Sequence, residues 1–374
     1  MKIKVSLICL LSGGLIAGVS LARTLPVVGA AAETPNSDWS RQSAAKYLDD
    51  RETWWQNWPR AQKDQGTVCV SCHTQLPYGM ARPILQHELG ETSMTPADKV
   101  MMDSVEKRVS HWSEMIPFYS DEKSGPGKTV EAHATESVLN AVILASYDTA
   151  QGRLRPITRT AFENAWALQQ DKGEWNGAWI WQNFHLGPWE GEESGYQCAA
   201  LLMATTLNTP DGYAKEPEIV THLNRLREFL RRGYASQPVM NQLYVLWASA
   251  KAPGLLMPAE RKALLAALQD QQQADGGWNT SNMDERERKD DSPAPTESDG
   301  YATGIAVLAM EEAGIPRHDP MLQRGLAWLT AHQQKDGAWN ALSINKKRDP
   351  ASDPALFMQD AATAYAVLAL ENRK

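Results

Sequence analysis

Gln333-Gln334-Lys335-Asp336-Gly337-Ala338-Trp339-Asn340 has two upstream partners: Gln272-Gln273-Ala274-Asp275-Gly276-Gly277-Trp278-Asn279 and Gln169-Gln170-Asp171-Lys172-Gly173-Glu174-Trp175-Asn176. Segments that share Gln, Gly and Trp in register are an internal repeat, and a repeat decides the fold before local propensity does. The Trp positions lie 103 and 61 residues apart, so one degenerate unit is expected over 217–250. Each segment follows an apolar run of helical spacing and contains Gly, which suits a helix end followed by an ordered turn. Fourteen Trp against five Phe fit a motif that requires indole itself rather than any bulky apolar group.

A second set of segments begins after each turn. Ala302-Thr303-Gly304-Ile305-Ala306-Val307-Leu308-Ala309-Met310 matches Ala362-Thr363-Ala364-Tyr365-Ala366-Val367-Leu368-Ala369-Leu370, with earlier copies from Tyr196 to Leu207 and from Ala134 to Ala145. These stretches are apolar nearly all round and therefore predict buried helices. Outer helices are expected near 42–60, 98–115, 158–171, 217–232, 259–273 and 319–335. Inner helices are expected near 76–88, 131–148, 193–207, 238–250, 298–313 and 358–371. Six such pairs can close into a ring that leaves no apolar repeat face uncapped, so the fold class is all-α, a single (α/α)6 toroid of alternating outer and inner helices.

Arg324-Gly325-Leu326-Ala327-Trp328-Leu329, followed by Gln333, Gly337 and Trp339, resembles the QW repeat of squalene–hopene and oxidosqualene cyclases; Lys262-Ala263, Gln272 and Trp278 form a looser copy. The resemblance covers about 130–374. It implies an α/α toroid in which the Gln and Trp residues tie neighbouring helix ends together and do no chemistry. The D-x-D-D acid motif of the hopene-forming family has no counterpart here. Glu297-Ser298-Asp299-Gly300-Tyr301-Ala302 resembles the S-D-C-T-A stretch of oxidosqualene cyclases, which would give Asp299 the acid role, although Gly300 and Tyr301 replace Cys and Thr. Ser298 and Asp299 also read as the N-cap and first-turn acid of an inner helix. Those cyclases carry two helical domains, and this chain has length for one.

The N-terminus has Lys2 and Lys4, an apolar stretch from Val5 to about Leu21, and small residues at 29–32. That order predicts a secretory signal peptide over 1–32, with an uncleaved anchor as the alternative. Residues 33–130 are then expected to be N-terminal helices within the toroid, and 131–374 the cyclase-like repeats. The chain carries 37 Lys+Arg and 45 Asp+Glu, an acidic balance without a basic block, which excludes sequence-independent nucleic-acid binding. The expected mature protein is soluble and periplasmic or otherwise exported, with no membrane span left after cleavage.

Three cysteines remain in that mature chain, Cys69, Cys72 and Cys198, too few for a disulfide framework. Cys69-Val70-Ser71-Cys72-His73 is C-x-x-C-H, the attachment signature of c-type haem. Two intervening residues let both sulfurs reach one porphyrin edge, and the next residue puts an imidazole under the iron. A zinc site would need a second ligand pair, and a thioredoxin-like dithiol would need a βαβ context. Cys198 sits in an apolar helical run and reads as a packing residue.

The expected cofactor is one covalent haem c, held by Cys69, Cys72 and His73. For the sixth position His133 leads, ahead of Met80, His87, His111, Met115 and His185. Gln62-Lys63-Asp64-Gln65-Gly66 reads as a worn copy of the repeat turn, which would place the haem at the rim of the ring's apolar cavity. Trp39, Trp54, Trp55 and Trp58 are candidates to pack on the porphyrin. Asp284 to Asp291, followed by Pro293 and Pro295, reads as a solvated loop. The combined expectation is electron transfer or haem-dependent redox chemistry, with a redox partner or small apolar ligand. The alternatives are a terpenoid or triterpenoid cyclase and a haem-containing protein that binds a hydrophobic ligand as a sensor.

Overall fold

The computed structural model describes residues 39–115, 125–350 and 352–372; the signal-peptide region lies outside them. The described residues form thirteen α-helices, and one two-stranded hairpin is their sole sheet. Six helices are outer: α1 (Arg41–Asn57), α3 (Pro96–Ser110), α5 (Pro156–Ala167), α7 (Pro217–Gly233), α9 (Pro258–Gln271) and α12 (Pro320–Ala331). Six are inner: α2 (Gln75–Glu88), α4 (Gly125–Gln151), α6 (Ser194–Asn208), α8 (Val239–Ser249), α11 (Gly300–Glu312) and α13 (Asp353–Glu371). All twelve overlap the expected spans; α10 (Thr280–Asp284) is a short addition.

Composition separates the two sets. The outer helices α3, α5, α7, α9 and α12 each start with Pro in the first turn, where the missing N–H has no intrahelical partner to lose. The inner helices are buried on every side, as in α11 from Gly300 to Glu311. Contacts among them run in one cycle: α2 touches α4, α4 touches α6, α6 touches α8, α8 touches α11, α11 touches α13, and α13 returns to α2. At Gly304 a Cβ would stand 2.8 Å from the Tyr365 carbonyl carbon, so glycine permits the close approach of α11 and α13.

Three repeat turns each fasten one outer helix to the next. Gln333 Nε2 donates to the Ser40 carbonyl (2.9 Å) and to Gly337 O (3.0 Å), while its Oε1 accepts from Ser40 N (2.6 Å). Ser40 caps α1, so this clasp joins the last outer helix to the first. Gln272 makes the same pair of bonds to Gly276 O and Met321 O, and Gln169 to Gly177 O and His222 O. The three indoles Trp339, Trp278 and Trp179 donate to Leu329 O, Leu268 O and Ala165 O on the preceding helix.

Two expectations about the repeat are corrected here. The counterpart of Trp278 and Trp339 in the first unit is Trp179, not Trp175, because Gly177 shares their glycine geometry: φ is 94° at Gly177 and 95° at Gly276 and Gly337. Four extra residues in that turn displaced the alignment. The segment Gln62–Gly66 is no worn clasp but the tip of a hairpin, β1 (Gln62–Lys63) against β2 (Thr67–Val68). Between α1 and α3 the clasp falls instead to Gln56, whose Nε2 donates to Ala97 O in the first turn of α3 (2.8 Å).

The charged loop also departs from expectation. Asp284 is buried at the end of α10, and Arg288 bonds Ser343 O and Lys346 O, so the stretch is anchored to the next loop. Trp39 packs on Trp339 at the clasp (ring centroids 5.8 Å apart), away from the C-x-x-C-H motif.

Gly337 combines a left-handed φ with a Cβ position that would collide with Ser43 O. Gly337→Ala is therefore expected to destabilise the ring by about 3 kcal/mol or more, read as a lower urea midpoint.

Candidate functional site

The C-x-x-C-H residues occupy the link from β2 into α2, so His73 arrives beside the N-terminal ends of the inner helices. The C-terminal residues Ala150, Asn208, Glu312 and Glu371, from α4, α6, α11 and α13, line a cavity of about 520 Å³ at the opposite mouth. The imidazole of His73 lies flat against Phe357 of α13 (centroids 3.8 Å apart, 19° between planes). Trp55 meets it edge-on at 5.0 Å, and Trp189 stands 5.8 Å away. Trp55 is itself held by a bond from Nε1 to Cys69 O (2.8 Å), so α1 and the motif are fixed together. Trp54 and Trp58 stack behind it at 5.2 Å.

Hydrogen bonding sets the state of this imidazole. Thr74 Oγ1 donates its only proton to Asp360 Oδ2 (2.8 Å), so at 2.9 Å from His73 Nδ1 it can only accept. That requires the Nδ1–H tautomer. Asp360 is held in turn by Arg51 Nε (2.7 Å) and Tyr47 OH (3.0 Å), both from α1. Nε2 of His73 has no hydrogen-bond partner among the described residues. Burial lowers the His73 pKa to about 3, assisted by Arg51 and Arg348, and a neutral ring with a free Nε2 lone pair is the form in which imidazole binds a metal.

Cys69 and Cys72 are free thiols. Burial pushes Cys69 up to about 11 and Cys72 well above its ordinary value, the opposite of the lowered pKa that a reactive dithiol needs. Among the described residues no group of three or more His, Cys, Asp or Glu could hold a metal ion, so the zinc reading has no ligand set. Behind Cys69 the wall is Lys63, Val70, Ala132, Thr135, Glu136 and Gln182, around a space of about 10 Å³. Glu136 there is fixed by Arg108 through two bonds (2.5 and 2.8 Å). Cys69, Cys72 and His73 supply the donor types that covalent haem c uses, whereas the space beside Cys69 fits one water; a macrocycle there would need these side chains to part.

The sixth-ligand candidates are dispersed. His133 stacks on Trp112 (4.1 Å) and does not line the Cys69 wall, which α4 forms with Ala132, Thr135 and Glu136. Met80 lines the opposite mouth. His87 and His185 are exposed and His111 is half-buried; they face Glu88, Glu192 and Glu114. Met115 is buried with its sulfur 4.0 Å from Arg108. Cys198 is buried in α6, as its apolar context predicted.

Asp299 is the N-cap of α11. Its carboxylate accepts from Tyr301 N (3.0 Å), Ala302 N (2.9 Å), Thr280 N (2.7 Å) and Thr280 Oγ1 (2.7 Å). The cap therefore falls one residue later than Ser298, which donates to Asp275 instead (2.8 Å). Burial raises the Asp299 carboxyl.

Sequence reasoning missed Asp360 and Arg51. Asp360 reaches Thr74 across 286 positions, and no local signal points to it.

Comparison with known proteins adds a family likeness over part of the chain. Residues 239–351 and 298–372 match the squalene–hopene cyclase C-terminal domain. The squalene–hopene cyclase of Bradyrhizobium diazoefficiens is 33% identical over 70 residues, 19% of this chain and 11% of that enzyme. The probable squalene–hopene cyclase of Sinorhizobium fredii is 31% identical over 70 residues, with the same coverage. The match therefore spans about a tenth of those relatives. Two solved structures, possible members of the GH105 family, align at low identity. The one from Klebsiella pneumoniae has a TM-score of 0.36 and 14% identity, covering 90% of this chain and 82% of that one. The one from Salmonella enterica has 0.45 and 12%, covering 91% and 95%. Among the described residues no helix is long and apolar enough to cross a membrane.

Beside the motif, Glu52 is fully buried on α1, and its Oε1 accepts from Gln56 and Gln75 (2.8 and 2.7 Å). Burial raises its pKa from 4.5 to about 7. The folded state then holds a proton that the unfolded chain releases above 4.5, so stability falls as pH rises from about 4.5 to about 7. Glu52→Gln is expected to remove about 3 kcal/mol of that decline, read by urea unfolding from pH 5 to 8. Glu190, raised to about 7 by burial, keeps part of the slope.

The match to the squalene–hopene cyclase C-terminal domain thus covers the last two Gln–Gly–Trp turns and both inner helices that follow them, while the C-x-x-C-H site lies in the part of the chain outside it.

Proposed function

We propose that this chain is an exported monohaem c-type protein built on a squalene-cyclase-like helical ring, and that it transfers electrons or performs haem-dependent redox chemistry at the inner-helix N-terminal mouth. The observation that carries the reading is the relay from His73 Nδ1–H through Thr74 to Asp360, which holds Nε2 available beside two free thiols. In this reading Cys69 and Cys72 would hold haem covalently through their sulfurs and His73 would bind its iron. Bound haem would supply one-electron chemistry. Thr74 and Asp360 fix the ring tautomer, Arg51 neutralises Asp360, and Trp55 and Phe357 limit water around the imidazole.

A cyclase-type intramolecular transferase is the second reading, and the likeness of residues 239–372 to the cyclase C-terminal domain favours it. Asp299 is its weak point. Its carboxylate is occupied by capping bonds, and burial makes it a weaker acid rather than the strong one that protonating a carbon–carbon double bond demands. The inner wall beside it is closed by Tyr244, whose hydroxyl meets those of Tyr365 (2.8 Å) and Tyr301 (3.4 Å).

A pyridine haemochrome assay, with oxidised and reduced spectra, on protein from a host that matures c-type haem decides between them. One covalent haem per chain, lost in Cys72→Ser, is the expected outcome. A haem-free chain that converts squalene to cyclic product would overturn the proposal in favour of the cyclase reading.

A further inference from the structure

On the same side of the ring, the loops 285–299 and 341–350 meet the first turn of α13 around a second pocket of about 370 Å³. Three cations line it: Arg288, Lys347 and Arg348. None of them has a carboxylate partner within ion-pair distance among the described residues. Arg288 bonds only neutral oxygens, Ser292 Oγ, Pro293 O, Ser343 O and Lys346 O, and its buried Nε has no partner. The adjacent acid, Asp290, is occupied by the backbone N–H groups of Lys347 (2.8 Å) and Ser292 (3.3 Å) and by the Ser292 hydroxyl (2.6 Å). Three unpaired cations around one pocket are unusual in a chain with net charge −8.

Beside Ser292 and Ser343 the remaining wall is apolar: Pro293, Pro295, Pro350, Ala355 and Leu342, which is 45% exposed. Burial lowers the Arg348 guanidinium, the mark of a desolvated cation that lacks an anion. Guanidinium forks match the paired oxygens of phosphate, and a lysine adds a point charge.

We infer that this pocket binds a small phosphate monoester with an apolar body: Lys347 and Arg348 hold the dianion, Arg288 adds its charge from the wall, and the proline and Leu342 wall takes the body. The site stands whether or not the chain carries haem.

Calorimetric titration of the purified full chain with phenyl phosphate tests it. Saturable one-site binding is expected, weakened about tenfold in Arg348→Gln and in Lys347→Gln and falling with added salt. Benzoate, with one charge on the same ring, should bind more weakly, and benzyl alcohol should not bind. Absence of saturable binding, affinity in both variants equal to that of the unsubstituted chain, or tighter binding of benzoate would overturn the assignment. Both substitutions are on the loop surface, and unchanged urea midpoints would separate lost binding from lost folding.

Discussion

The glutamine clasp between Gln333 and Ser40 is the constraint on which the ring rests. It brings residues separated by 293 positions to 2.6 Å, and its carboxamide uses both ends, accepting from one backbone N–H and donating to two carbonyls. A single amide bond of this kind contributes about 1 kcal/mol. Its larger effect is directional, because it fixes where the last outer helix ends relative to the start of the first. The apolar inner helices then have a complete circle of neighbours, and none presents an unpaired face to water.

Much of this architecture is legible in the sequence, and the reason is local. Pro at the first turn of outer helices, Gly past their ends and Ala-rich inner segments are each signals within one repeat unit. The misplacement of the first turn by four residues has an equally physical origin. Trp175 and Trp179 both follow Gln169, and only the left-handed φ of Gly177, packed against Arg225 O, shows which indole the turn uses.

The candidate site was legible only in Cys69, Cys72 and His73. C-x-x-C-H states which atoms are presented, but the groups that orient them come from α1 and from α13 at the far end of the chain. Asp360 was invisible because an acid within an Ala-rich stretch carries no label for what it meets. The capping role of Asp299 was within reach of sequence, one residue away from Ser298. Its four accepted bonds required Thr280, in a short helix that no periodicity announces. Electrostatics completes the contrast: the same desolvation that keeps His73 neutral raises Cys69, Cys72 and Glu52, with the Arg51–Asp360 ion pair beside them.

A closed cycle of six inner helices also constrains how such a protein can change. An open solenoid lengthens by duplicating a unit, since each addition needs one new interface and leaves the ends as before. In a cycle, an added or deleted pair must break two interfaces and alter the angle at every remaining one. Copy number is thereby frozen, and novelty has to enter through the links between helices. The link from α1 to α2 carries a hairpin and the C-x-x-C-H residues, and Gln56 at the end of α1 makes the bond to α3.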